Sequence, residues 1–326
     1  MKILVTGGAG FIGSNLVKTL LRDERVSLVR VLDNLSTGSL SNLEEIKDHP
    51  RLEWMEGDIR DLDTCLAACD GIQAISHQAA LGSVPRSIQD PVTTNNVNIT
   101  GTVNIFTAAK EKGTGRIVYA ASSSTYGDHP GLPKMEDKIG GPLSPYAVTK
   151  YVNELYARVF ADVYDMQFIG LRYFNIFGPF QNPKGPYAAV IPLFAQSLLN
   201  NEAPHINGDG SHSRDFTYVD NAVQANILAI FTQNKEAVNQ VYNIACGEQT
   251  SLLQLFEHLN REAGTAVSPV HGPDRRGDVK HSLADISKAK TLLGYAPTVT
   301  VEEGLRETFR WYRQHPHFLD LRQKMQ

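Results

Sequence analysis

Cysteine is scarce in this chain, and the three residues present, Cys65, Cys69 and Cys246, are odd in number and show no metal-ligand spacing with histidine. Cys65 and Cys69 lie four apart on an expected helix and read as buried free thiols, so no metal site is expected. Charge of one sign is missing as well: the net charge is −4, with acidic and basic residues mixed along the sequence, which argues against a nucleic-acid or membrane surface. No apolar run reaches transmembrane length, and Met1-Lys2 passes straight into an apolar run with no room for a signal peptide. A cytoplasmic location is therefore expected. Repeats and low-complexity tracts are also absent. What remains is a chain of 326 residues with the composition of a globular protein, long enough for one large domain or two unequal ones sharing a cleft.

Glycine supplies the first positive signal. The run Ile3, Leu4, Val5 reads as a buried strand that breaks at Thr6 into Gly7, Gly8 and Gly10, and Gly13 then opens an apolar-periodic helix through Leu16, Leu20 and Leu21. Such a turn lets a pyrophosphate approach the main chain at a helix N-terminus, where unpaired N–H groups and the positive end of the dipole await it. A second apolar run, Val26 to Leu32, ends at Asp33, twenty residues beyond Gly13, where a carboxylate accepts hydrogen bonds from an adenosine ribose. Asp33 would repel a 2′-phosphate, and Asn34-Leu35-Ser36-Thr37-Gly38 offers no arginine to hold one, so the cofactor expected is NAD rather than NADP.

Strands and helices then alternate. Arg51 to Glu56, Ile72 to Gln78 and Arg116 to Ala121 read as strands, and Asp90 to Lys112 as one long helix. Asp58, just past the third strand, could reach an adenine or simply close a turn before a helix starting near Asp61. The beat predicts an α/β fold: a Rossmann-type doubly wound parallel sheet with helices on both faces and ligands at the carboxyl ends of the strands. After Phe174, prolines and glycines punctuate short segments, which predicts a smaller C-terminal α/β substrate domain. The expected division is 1–174 for the NAD-binding domain, with later segments returning to it, and 175–326 mainly for substrate. Late helices are expected near Val219 to Phe231, Leu252 to Arg261 and Glu302 to Tyr312.

The fifth strand runs into Ser122-Ser123-Ser124-Thr125-Tyr126, and Ser144-Pro145 opens a helix bearing Tyr146 and Lys150. Four residues apart, the two share one face about one turn, roughly 6 Å, from each other. A tyrosine is a poor base near neutral pH, but a fixed ammonium and an oxidised nicotinamide favour its phenolate, and a nearby serine hydroxyl can share the proton of a substrate alcohol.

Thr6-Gly7-x-x-Gly10-x-x-Gly13, Asp33, Tyr146-x-x-x-Lys150 and Leu171-Arg-Tyr-Phe-Asn175 together resemble the extended short-chain dehydrogenase/reductase family, and the likeness runs over nearly the whole chain. Ala79 to Ile88, Ser124 to Gly131 and Gly208 to Asp215 resemble its UDP-hexose 4-epimerases, in particular bacterial UDP-N-acetylglucosamine 4-epimerases. The resemblance implies that Gly7, Gly10, Phe11, Ile12, Gly13, Asp33, Asn34, Ser36, Thr37, Gly38, Asp58, Ile59, Gln78, Ala79, Ala80, Ala121, Tyr146, Lys150 and Tyr173 hold NAD. It makes Tyr146 the base, Lys150 its electrostatic partner and ribose anchor, Ser122 the hydroxyl partner and Ser123 the neighbouring candidate. Gly82, Asn175, Ala189, Val190 and Asn207 would line a UDP-sugar site together with Ser122, Ser123 and Tyr146; Arg214 and Arg275 would hold the diphosphate and Asp278 the uridine ribose.

At Ser282, epimerases restricted to the non-acetylated sugars carry a tyrosine that crowds C2, so the small residue here points to UDP-GlcNAc and UDP-GalNAc, with UDP-Glc and UDP-Gal tolerated. The implied cycle is redox-neutral: C4 is oxidised, the 4-keto sugar rotates, and the hydride returns to its other face. A 4,6-dehydratase would need a carboxylate pair beside the serine, and Ser123, Ser124 and Thr125 offer none. UDP-glucuronate epimerases or decarboxylases, and a non-catalytic NAD-binding regulator, are the alternatives. A homodimer is expected through Asp90 to Lys112 and Tyr146 to Tyr164, with Val97, Val103 and Phe106 as apolar positions that could equally be core.

Overall fold

Ile3, Leu4 and Val5 are fully buried in the first strand, β1 (Lys2–Thr6), because it lies in the middle of a sheet covered on both faces. The computed structural model describes residues 1–182, 189–273 and 280–319. Five further parallel strands, β2 (Leu28–Asp33), β3 (Leu52–Glu56), β4 (Ala74–His77), β5 (Arg116–Ser122) and β6 (Gln167–Tyr173), extend the sheet. Short strands β7 (Ile176–Phe177), β8 (His205–Asn207), β9 (Ser213–Arg214) and β10 (Thr217–Tyr218) follow, after which β11 (Gln240–Ile244) returns to pair with β6. The seven-stranded order is β11-β6-β5-β4-β1-β2-β3. It reverses direction between β1 and β4, and a crevice opens there at the strands' carboxyl ends.

Helices α1 (Phe11–Arg22), α2 (Leu62–Cys69), α3 (Val84–Gln89), α4 (Pro91–Asn95), α5 (Gly101–Lys112), α6 (Pro145–Tyr164), α7 (Val190–Leu199) and α8 (Val219–Phe231) connect these strands. Strand alternation sorts the core into two layers. Ile3 and Val5 pack with Leu16 and Leu20 of α1 and Val223 of α8, whereas Leu4 packs on the opposite face with Cys65 of α2, Phe106 of α5 and Phe160 of α6. The expected doubly wound sheet is thus present, with strand limits that differ from the sequence expectation by one to two residues. Beyond β11 come β12 (Thr250–Ser251), α9 (Leu252–Ala263), β13 (Val270–Gly272), α10 (Ser287–Leu293) and α11 (Val301–Gln314). Strands β7 and β10, β8 and β13, and β9 and β12 form three two-stranded sheets.

One expectation needs correction. Asp90 to Lys112 is not a single α-helix: Asp90 caps α4, and a π-helical turn at Asn96–Thr100 intervenes before α5. That wide turn brings Asn98 inward, where its amide exchanges two hydrogen bonds with the Leu81 backbone (2.8 and 3.1 Å) and donates to Thr149 Oγ1 at 3.1 Å. Of the apolar positions that could be either core or dimer surface, Phe106 is fully buried and Val97 is partly buried against the same core. Cys65 and Cys69 are buried on α2, and burial pushes both thiols up to about 12. No helix among the described residues is long and apolar enough to cross a membrane.

Candidate active site

The glycine turn is built so tightly that only glycine fits. Gly7 holds φ at +69°, and a Cβ there would stand 2.7 Å from the Ala79 nitrogen; at Gly13 a Cβ would stand 2.1 Å from the Gly7 carbonyl oxygen. Gly10 caps α1 without any side-chain hydrogen bond, which leaves the first N–H groups of the helix for a ligand. The turn forms one end of a cleft of about 540 Å³. Gly7, Gly10, Phe11, Ile12, Gly13, Asp33, Asn34, Ser36, Thr37, Asp58 and Ile59 line that end. Gln78, Ala79, Ala80, Gly82, Ala121, Ser122, Ser123, Tyr146, Lys150, Tyr173 and Asn175 line the rest.

Asp33 ends β2 with its carboxylate accepting from the N–H groups of Ala9 (2.9 Å) and Leu35 (2.8 Å). Burial pushes its carboxyl above the ordinary range, and those N–H groups pull it back. Asp58 is held by Arg60 at 2.6 Å and by the Asn34 amide at 2.8 Å. The Arg60 contact brings its carboxyl down to about 2, so it stays ionised. Asp61, not Asp58, caps α2. Gly38 lies behind the wall against the Ala9 backbone and does not line the cleft. Among the described lining residues Lys150 is the only Lys or Arg, and it lies at the other end of the cleft from Asp33, while Arg60 outside the lining is engaged with Asp58.

The other end carries the reactive groups. Ser122 terminates β5, and Ser124 donates to its hydroxyl from both Oγ (2.9 Å) and N–H (3.2 Å). Ser122 also stands close enough to Tyr146 to work against the upward push of burial on its hydroxyl. Of the three serines, Ser122 is thus the one at the tyrosine, Ser123 lines the cleft beside it, and Ser124 supports it. Ser144 caps α6 by accepting from Ala147 N–H at 3.1 Å, and Pro145 fixes the first turn, which sets Tyr146 at the cleft. Lys150 Nζ donates to Ala120 O at 2.8 Å and stands 6.0 Å from the centre of the Tyr146 ring. No direct hydrogen bond joins the pair, so the ammonium can bear on the tyrosine only through its charge. Burial pushes the Tyr146 hydroxyl up, with Ser122 pulling the other way, and burial brings Lys150 down to about 8. In the protein alone burial is thus the largest influence on the Tyr146 hydroxyl; the phenolate expected from the sequence called on an oxidised nicotinamide as well as the ammonium.

Below these groups sits a polar floor that local sequence patterns did not reveal. Tyr173 OH donates to Gln78 Oε1 at 3.1 Å and accepts from Asn226 Nδ2 at 2.7 Å, while Asn226 Oδ1 accepts from Ser76 and Gln78. Asn226 comes from α8, 150 residues from Ser76, so no local spacing could announce it. Asn98 was legible in hindsight: it and Thr102, one turn apart, are polar residues on a buried helical face.

A second cavity of about 480 Å³ adjoins the cleft and shares Asn175, Ile176 and Gln181 with it. Ala189, Val190, Asn207 and Arg214 line it, along with Phe194 and Phe216. Asn175 adopts φ +39° and donates to Asp215 O at 3.1 Å, which ties the end of β6 to the loop bearing Arg214. Ser282 lies next to β9, its N–H donating to Ser213 O at 3.1 Å, and is not among the residues lining either cavity. Arg275 and Asp278 lie outside the described residues.

NAD fits the cleft on three observations: a glycine cradle that an added Cβ would fill, an uncapped helix start, and a carboxylate, Asp33, at the end of β2 with no Lys or Arg lining that end of the cleft. Comparison with known proteins agrees. Residues 3–245 match the model of the NAD dependent epimerase/dehydratase family. A UDP-glucose 4-epimerase of Mycolicibacterium smegmatis is 36% identical over 315 residues, spanning 96% of this chain and 99% of that protein. Among solved structures, the UDP-glucose 4-epimerase of Thermotoga maritima with UDP-glucose superposes with a TM-score of 0.90 at 36% identity, covering 97% of this chain and 100% of the other. The UDP-N-acetylglucosamine 4-epimerase of Methanobrevibacter ruminantium, in complex with UDP-N-acetylmuramic acid, gives 0.91 at 38%, covering 96% and 98%. With the glycine cradle, the doubly wound sheet and the family match in agreement, the chain belongs to the NAD dependent epimerase/dehydratase family and uses NAD.

Proposed function

We propose that the protein inverts C4 of UDP-hexoses, UDP-GlcNAc and UDP-GalNAc first and UDP-Glc and UDP-Gal second. The observation that carries this reading is that Ser122, Tyr146 and buried Lys150 line one end of a cleft that adjoins a second cavity lined by Arg214. Bound NAD supplies the hydride acceptor and donor for C4. Tyr146, with Ser122 as relay, takes the C4 hydroxyl proton and later returns it, so the proton balance closes on the same pair of oxygens. Lys150 holds a positive charge near the tyrosine oxygen and the ribose. Gly7, Gly13 and Asp33 grip the dinucleotide, and Tyr173 and Gln78 form the wall that their bonds to Asn226 fix. The segment past residue 174 mainly holds the UDP-sugar: Arg214 with Arg275 on the diphosphate, Asp278 on the uridine ribose, and Asn175, Ala189, Val190, Asn207 and Gly82 along the sugar and nucleotide. Ser282 lines neither cavity, so its proposed part in admitting a C2 acetamide rests on the small residue at that sequence position alone.

Two observations favour epimerisation over its rivals. Among the described residues of the cleft, the carboxylates are Asp33 and Asp58 at the glycine-turn end, and none lines the wall beside Ser122 and Tyr146, where a dehydratase needs an acid/base pair. Apart from Lys150 and Arg214, no described Lys or Arg lines either cavity, so among the described residues there is no further cation to meet a C6 carboxylate of a uronic acid. An epimerisation assay with UDP-GlcNAc, UDP-Glc and UDP-GlcA tests the reading: interconversion of the acetylated pair supports it, and turnover of UDP-GlcA alone contradicts it.

A homodimer completes the proposal. The outer face of α6 exposes Val148, Leu155, Val159 and Val163 at helical spacing, the last two 53% and 64% exposed, and Ile88 of α3 and Val92 of α4 extend the same apolar surface. A second copy of the chain, presenting the same stripe, would cover it.

A further inference from the structure

Within the run Leu171-Arg-Tyr-Phe-Asn175, Arg172 is left without a role by the proposal above, yet it is 3% exposed. A guanidinium is almost never so buried unless it is paired. Its Nε and Nη2 donate to the two carboxylate oxygens of Glu154 at 2.9 and 2.8 Å, its Nη1 donates to Glu136 O at 3.0 Å, and its central carbon lies 4.8 Å from the Tyr126 ring centre. Two of these partners, Glu154 and Tyr126, belong to different elements that carry or adjoin a proposed reacting group. Glu154 sits one turn beyond Lys150 on α6. Tyr126 closes the 3₁₀ turn that begins at Ser123, immediately after Ser122, and its hydroxyl is anchored to Asn243 of β11. Arg172 itself pairs with Ala121 across the sheet, and the next residue, Tyr173, pairs with Ser122.

We propose that the Arg172–Glu154 ion pair is a positioning device that fixes α6 against the serine turn, so that Tyr146 and Ser122 hold one geometry around the substrate hydroxyl. The inference rests on the proposed roles of Ser122, Tyr146 and Lys150. Stability alone does not call for these charges, because a buried ion pair rarely outperforms well-packed apolar residues of the same size. What a two-pronged fork adds is a set distance and angle between helix and strand, which a slippery apolar contact does not provide. Displacing a reacting group by an ångström costs on the order of 10²-fold in rate.

The test compares Glu154→Gln, Arg172→Lys and the double variant Glu154→Met/Arg172→Met with the wild type, reading kcat, KM, NAD content per chain and Tm on the full-length holoprotein. Arg172→Lys keeps the charge and loses the fork; it should retain NAD and KM within about twofold while kcat falls about tenfold, an intermediate displacement on the scale above. Glu154→Gln should lower Tm, because it strands a buried cation. The double variant should regain the lost Tm while kcat stays roughly 10²-fold down. An unchanged kcat in Arg172→Lys, or a kcat that recovers with Tm in the double variant, would overturn the inference; should the double variant fail to fold, Arg172→Lys decides alone. A wild type inactive on every UDP-hexose would remove the function reading itself and this inference with it.

Discussion

The cofactor cleft and the second cavity adjoin at Asn175, Ile176 and Gln181 but are made of different material. At the glycine turn the walls are main chain, packed so closely that one methylene at Gly13 would collide with a carbonyl oxygen at 2.1 Å. In the second cavity the walls are side chains such as Leu193, Phe194, Arg214 and Phe216, several of them on short strands and a helix rather than in the central sheet. Backbone-built sites cannot yield without losing the fold of the turn, whereas side chains can be exchanged one at a time. The first arrangement suits a cofactor that never changes, the second a substrate pocket that evolution can retune.

That contrast orders the expected effects of mutation. Gly13→Ala should be the most damaging: the added Cβ has nowhere to go, so the purified protein should carry no NAD and show no turnover, measured by cofactor content after denaturation. Tyr146→Phe removes the proton acceptor and leaves the cradle intact, so NAD content should match the wild type while turnover falls by about 10²–10⁴-fold. If the variant keeps most of its rate, the contrast between grip and chemistry fails. Ser282→Tyr, in the tunable half, should lower kcat/KM for UDP-GlcNAc by about tenfold or more, one filled pocket being worth ~1–3 kcal/mol, while UDP-Gal is spared. Equal activity on both sugars would remove Ser282 from any part in sugar choice. The smallest catalytic effect is expected on the outer surface: Val159→Asp with Val163→Asp should yield a monomer by light scattering at nearly unchanged NAD content. A wild-type protein that is already monomeric would show that the α6 stripe serves no dimer.

Most of the cleft was legible because its signals are local. Glycine spacing, the offset to Asp33, the Ser144-Pro145 helix start and the four-residue step from Tyr146 to Lys150 are each written within a few residues, or within one strand-helix-strand unit. The elements that escaped are those joined by distant contacts. Asn226 reaches Gln78 from α8, Glu154 meets Arg172 from another element, and β11 enters the sheet from beyond the short strands. Such pairings leave no periodicity in the sequence, since only the folded sheet brings the partners together. The π-helical turn at Asn96–Thr100 escaped for a related reason: the inward bonds of Asn98 to Leu81 and Thr149 override a helical pattern that read as continuous.

Tyr146 and Ser122 are proposed to pass one proton out and back while C4 of a UDP-sugar is inverted on a cofactor that stays bound. The most direct measurement uses UDP-GlcNAc deuterated at C4, incubated with the holoprotein in ordinary water and followed by NMR together with NADH fluorescence of the protein-free filtrate. The account predicts UDP-GalNAc that retains deuterium at C4, with no NADH in the filtrate. Washout of the label into water, NADH accumulating with turnover, or no UDP-GalNAc at all would contradict it.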